Sequence, residues 1–202
     1  MKIEVTKLLN DVFVVDGLFS RKESSEIQRY AEEKQNYSLT GDFETRIYTF
    51  AAVDSNENFD KYQIKILDKF KEMCDHLGIE KCPEFQRVIT NCFGINDFCD
   101  AHTDSPIPGN VTFLLYGNTE WHGHWGGETF FTGKQKGTYG VYVSPAPGRL
   151  VISPTEIWHG TRAPTQFMRA KGRITMAWQC EELELPEEER WYNVNKDKLK
   201  SK

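Results

Sequence analysis

No C-x-x-C pair occurs among the five cysteines, Cys74, Cys82, Cys92, Cys99 and Cys180, and their number is odd. A disulfide framework and a thiolate zinc site are therefore set aside, and a reducing interior is expected. In that setting the five read as small core hydrophobes. Basic charge is not in excess: Lys and Arg number 25 against 30 Asp and Glu, a net charge of −5. A chain of that sign offers a polyanion little attraction, so no nucleic-acid partner is expected. No stretch approaches the roughly 20 apolar residues of a membrane span. Met1 to Lys7 holds no apolar signal core, so the expectation is a cytoplasmic protein with no membrane partner. Gly126-Gly127 is followed by no Lys-Ser/Thr, which excludes a phosphate-cradling loop. The pair reads instead as a bend where backbone passes close to another strand.

What is present is ordinary globular material: 202 residues, 39% hydrophobic and 27% charged. That length predicts a single domain over 1–202. Val12 to Val15 is a β-branched and aromatic run, a first strand. Ser20 with Glu23 three residues on has the capping-box pattern, opening a helix that ends near Lys34. Asn36 to Asn58 is polar, with two short strands around Ile47 to Val53; it reads equally as a flap over a site or a surface connection. Tyr62, Ile66, Phe70, Met73 and Leu77 recur at intervals of three and four, with Ile64 and Leu67 widening the stripe. A helix follows from that spacing, with Gly78 as its stop. His76, in its last turn, is given no chemistry.

From Phe85 the texture changes to short strands between Gly, Pro, Asn and Asp: Gln86 to Phe93, Val111 to Tyr116, Glu128 to Phe131, Gly140 to Ser144, Leu150 to Ser153 and Arg173 to Gln179. The fold class is mostly β with flanking helices (α+β), a barrel or two-sheet jelly roll with the two N-terminal helices packed on the outside of one sheet. The chain thus divides into supporting elements over 1–84, a β core over 85–180 and a tail over 181–202. The tail reads as a solvated helix or frayed end anchored by Trp191 and Tyr192.

His102 and Asp104 stand two apart, so on a strand they project to one face. A distant His159 brought alongside completes two imidazoles and a carboxylate, the facial triad with open positions that suits non-haem Fe(II). On the last strand Arg173, Thr175 and Ala177 share one face, while Ile174, Met176 and Trp178 share the core face. A guanidinium pointed into the cup is costly unless paired. A carboxylate ligand, or a structural Asp or Glu, would pair it.

His102-Thr103-Asp104, Val111 to Tyr116, Trp125-Gly126-Gly127-Glu128-Thr129, Pro147 to Ser153, His159-Gly160 and Arg173 together resemble the ordered motifs of Fe(II)/2-oxoglutarate dioxygenases, closest to the prolyl 4-hydroxylase-like branch. Val12 to Lys34 is similar to that branch's opening strand and helix. The resemblance implies a double-stranded β-helix (jelly roll, cupin-like) with Fe(II) held by His102, Asp104 and His159. It implies 2-oxoglutarate with its far carboxylate on Arg173 and Thr175, O2 as oxidant and ascorbate as a reductant. The implied reaction is hydroxylation of an unactivated C–H bond with release of succinate and CO2.

A peptidyl proline is the leading substrate on resemblance, so a peptide or protein partner is expected. A free amino acid, another small metabolite or a non-catalytic cupin-like metal-binding module are the alternatives. Retention of all three ligands with Arg173 speaks against the last, acidic pI against a nucleic-acid demethylase, and Asp104 against a halogenase. The branch commonly has a Tyr before H-x-D; Asn91-Cys92-Phe93 has none, and its contact passes to Tyr116 or Asn91. Arg169 competes with Arg173 as anchor. His122-Gly123-His124, flanked by Trp121 and Trp125, reads as a solvent-exposed connection that could act as a substrate lid, with a further metal site the alternative. Cys99, three residues before a ligand, is placed to be oxidised by a reactive iron centre.

Overall fold

Ser20 accepts from the Glu23 N–H at 3.2 Å while the Glu23 carboxylate accepts from the Ser20 N–H at 2.8 Å. That reciprocal cap starts α1, Arg21–Glu33, where the sequence places it. Ser20→Ala is expected to lower the unfolding free energy by about 1 kcal/mol, read by chemical denaturation. The structure is a computed structural model that describes residues 2–8, 11–34, 38–40, 49–133, 140–180 and 185–200.

Two strands precede that helix, β1 (Glu4–Lys7) and β2 (Phe13–Asp16). After it come β3 (Ser38–Thr40) and β4 (Thr49–Ser55), paired antiparallel. Among the described residues β4 covers Thr49 to Val53 of the expected pair, while 36–37 and 41–48 of the anticipated segment lie outside the described residues. Helix α2, Lys61–Leu77, begins at an Asp60–Gln63 capping box and ends at Gly78, whose φ of 71° is the left-handed stop. Ile66, Phe70, Met73 and Leu77 are buried on it as expected. Ile64 is 49% exposed, a correction to the wider stripe. It sits two positions from Ile66, about 200° round the helix, and Gln63 takes the buried place instead.

The remaining strands are β5 (Phe85–Phe93), β6 (Cys99–His102), β7 (Val111–Tyr116), β8 (Thr129–Gly133), β9 (Val141–Val143), β10 (Leu150–Pro154), β11 (Trp158–Thr161) and β12 (Arg173–Cys180), followed by helix α3 (Trp191–Lys200). They form an eight-stranded sheet, in order β1-β2-β10-β7-β12-β5-β4-β3, facing a four-stranded one, β6-β11-β8-β9. All pairings between named strands are antiparallel. The sequence pattern misses β1, β3, β6 and β11. The last two are four-residue strands rich in Asp, His and Gly, residues that carry little strand preference of their own.

Strand alternation then separates two cores. Phe113, Leu115, Met176 and Trp178 turn outward under Ile27, Ile66, Phe70 and Met73 of the helices. Phe70 meets Phe113, Phe85 and Trp178 edge-on at 5.2, 5.9 and 5.7 Å. Val12, Val14, Tyr116 and Val151 turn inward against Phe131, Val143 and Ile157. Helix α3 closes the outer layer: the Trp191 indole N–H donates to the Lys81 carbonyl at 2.8 Å, and Tyr192 packs 5.9 Å from Phe13. Among the described residues no helix is long and apolar enough to cross a membrane.

Candidate active site

Between the sheets lies a cavity of about 260 Å³. His102, Asp104, His159 and Arg173 all line it, with Asn91, Thr112, Thr129 and Thr175. The two histidines arrive on neighbouring strands of the small sheet, where His159 and His102 are register partners. Their rings stand 4.5 Å apart. Asp104 is not on the same strand as His102; β6 ends at His102, and Asp104 occupies the bend beyond it. Its N–H donates to the Thr155 carbonyl at 3.0 Å, which turns the side chain back into the cavity.

The donor atoms converge. Asp104 Oδ1 is 3.8 Å from His102 Nε2 and 3.6 Å from His159 Nε2. Bonds of roughly 2.0–2.2 Å to one ion can bridge such gaps. On both rings Nδ1 lies 2.9 Å from a backbone carbonyl, Asp100 for His102 and Ile157 for His159. A carbonyl accepts only, so each Nδ1 carries the proton and each Nε2 lone pair faces Asp104. Burial, helped by the neighbouring His159, holds His102 below the usual imidazole range. The neutral ring that a metal requires is therefore favoured. Among the described residues this is the one cluster of three such side chains able to hold a metal.

Arg173 is 1% exposed and makes no ion pair among the described residues. Neutral groups hold it: Nε donates to the Gly127 carbonyl at 2.5 Å, Nη2 to Thr129 Oγ1 at 2.7 Å and Nη1 to Thr175 Oγ1 at 3.4 Å. Phe93 and Tyr116 lie 5.2 Å from its guanidinium carbon. Burial pushes this guanidinium down from its ordinary range, opposed chiefly by the Tyr116 hydroxyl. A buried cation that makes no ion pair among the described residues and faces a cavity could receive an anion. A ketoacid carboxylate fits this donor set.

The competing Arg169 is exposed and does not line the cavity. Of the two replacements for the absent phenol, Asn91 lines the cavity directly. Tyr116 is fully buried beside Arg173, its hydroxyl 2.6 Å from Thr129 Oγ1. Thr129 and Thr112 are functional candidates that sequence reasoning passed over. Each lies inside a motif already singled out, and strand phase alone could have turned them inward.

Gly126 and Gly127 adopt φ of 70° and 75°; a Cβ on Gly127 would sit 3.0 Å from Arg173 Cδ and from Trp121 Cζ2. The close approach falls on the arginine, not only on a strand, and only glycine serves there. His122 and His124 stack at 5.7 Å on an exposed turn, with His122 Nε2 2.7 Å from Glu120. Neither lines the cavity, and they form no metal cluster among the described residues. Cys99 is buried, its sulfur 3.3 Å from His102 Nδ1, and burial pushes its thiol up to about 12.

No protein-family model and no curated protein matches the chain. Solved structures do. A Pseudomonas putida prolyl-4-hydroxylase superposes with a TM-score of 0.66 at 15% identity, covering 86% of this chain and 94% of that one. A Trichoplax adhaerens prolyl hydroxylase in complex with a hypoxia-inducible-factor degradation-domain peptide gives 0.64 at 15%, covering 86% and 85%. A non-haem α-ketoglutarate-dependent carbocyclase from nogalamycin biosynthesis gives 0.63 at 11%, covering 84% and 79%. The chain thus has the jelly-roll fold of the 2-oxoglutarate/Fe(II) oxygenases, prolyl 4-hydroxylases among them, and carries two histidines and a carboxylate converging inside it.

Proposed function

We propose that this chain is an Fe(II)- and 2-oxoglutarate-dependent dioxygenase that hydroxylates an unactivated C–H bond, with a peptidyl proline as the substrate. The observation that carries the reading is Arg173, a buried guanidinium that makes no ion pair among the described residues and lines the same cavity as the triad. A metal dication and an anion receptor in one cup call for a ligand with a carboxylate at one end and a chelating group at the other. 2-Oxoglutarate has both.

His102, Asp104 and His159 would hold Fe(II) through Nε2, Oδ1 and Nε2, leaving three positions for a chelating ketoacid and oxygen. When bound, the metal with cosubstrate and O2 supplies the oxidation, with succinate and CO2 released. Arg173, Thr129 and Thr175 would orient the far carboxylate, and Tyr116 would fix Thr129. Ala51, Ile89, Leu114, Phe131 and Ala177 give the cavity apolar walls that would limit water near the reacting carbon. The peptide-bound neighbour supports a peptidyl substrate.

The test mixes apo protein, Fe(II) and 2-oxoglutarate without oxygen, where a weak visible charge-transfer band is expected. Admitting oxygen should then yield succinate. Proline-containing peptides are expected to raise that yield and gain one oxygen atom by mass spectrometry, while free proline should not. No band and no succinate would remove the reading; stimulation by free amino acids alone would replace the peptide.

A further inference from the structure

We infer that Thr112 is a positioning residue for the proposed metal centre, holding Asp104 so that one carboxylate oxygen faces the two imidazoles. Its Oγ1 donates to Asp104 Oδ2 at 2.5 Å. The other oxygen, Oδ1, is the atom that approaches both Nε2 atoms. A hydroxyl donating to a carboxylate makes a short charge-assisted bond, and the oxygen so engaged is a poorer metal donor than its free neighbour.

The placement of Thr112 explains why it can do this. His102 and His159 belong to the small sheet, but Asp104 lies on a bend after its strand has ended. Such a residue needs an external brace. Thr112 sits on β7 inside the large sheet, paired with Ser153 on one side and Gln179 on the other, and is 3% exposed. Its backbone is therefore held by two β ladders, and its side chain projects from a fixed point. The bond ties the carboxylate of one sheet's edge to the body of the opposite sheet. With the Thr155 carbonyl gripping the Asp104 N–H, both backbone and side chain of the bend are held. The orientation of the carboxylate then depends on a threonine that is not itself one of the three donors.

This inference rests on the reading of the triad as a metal centre, and the experiment separates the two. Full-length protein stripped of metal is titrated with Mn(II), and free Mn(II) is read by electron paramagnetic resonance, with the apo melting temperature alongside. Thr112→Val, close in shape but without the hydroxyl, is expected to weaken Mn(II) binding by about tenfold or more. Thr112→Ser, which keeps the donor, should stay close to wild type. Thr112→Ala serves as a second hydroxyl-free variant should valine lower the melting temperature. Wild-type affinity in the hydroxyl-free variants would overturn the positioning role and leave the centre standing. Equal losses in Thr112→Ser and Thr112→Val would overturn it too, because packing and not the hydroxyl would then be responsible. Failure of the wild-type protein to bind Mn(II) would overturn both readings.

Discussion

Replacing His102 or Asp104 with alanine is expected to take both the anaerobic charge-transfer band and succinate formation to background. Three donors converge on one point in this cavity, and the described residues hold no fourth in the cluster. Removing one leaves two, too few to retain a dication against water and buffer. Asp104 matters doubly, because it supplies the negative charge of the donor set. Its loss also strands the Thr112 hydroxyl, a buried donor whose unmet bond costs about 1–3 kcal/mol. A lower apo melting temperature is therefore expected in Asp104→Ala. In His102→Ala it should change less, since that side chain is 37% exposed. Succinate formation at the wild-type rate in either variant would end the assignment of these ligands.

Arg173→Ala should leave metal binding in place while raising the 2-oxoglutarate concentration needed for half-maximal turnover by about 10- to 100-fold. A charge-assisted hydrogen bond contributes about 1.5–3 kcal/mol, and each 1.4 kcal/mol is a factor of ten. Thermal protection gives an independent reading. A ligand at 100 times its Kd stabilises the folded state by about 2.7 kcal/mol, so 2-oxoglutarate should raise the wild-type melting temperature at concentrations that do little for the variant. Arg169→Ala is the control. That side chain is exposed and away from the cavity, so no change is expected. If Arg169→Ala weakens cosubstrate binding and Arg173→Ala does not, the anchor is misassigned.

The value of Arg173 as a receptor comes from its cost. A guanidinium enclosed by two aromatic rings, two threonine hydroxyls and a backbone carbonyl is held in place without being neutralised. A carboxylate bound in the proposed site would supply the opposite charge, so that binding and relief of desolvation would occur together.

Much of this was legible along the chain because it depends on near neighbours. The Ser20–Glu23 box, Gly78 and the stripe of α2 are contacts within a turn or two, set by residue type and spacing. The inward phase of Arg173 and Thr175 is equally local, since a strand that buries Met176 and Trp178 on one face must turn the alternate residues to the other. Short β6 and β11 escaped, because Asp, His and Gly gain strand geometry only from the partners they pair with.

By itself, then, the order of residues determined which side chains could do chemistry, the two N-terminal helices and the facing of the longer strands, since these rest on backbone periodicity and side-chain type. Tertiary structure alone decided that His159 becomes the register partner of His102 and that Thr112 reaches Asp104. Those choices depend on which strands lie side by side and which sheets face each other. Such pairings close long loops through burial summed over the whole chain, and no short window of residues carries them.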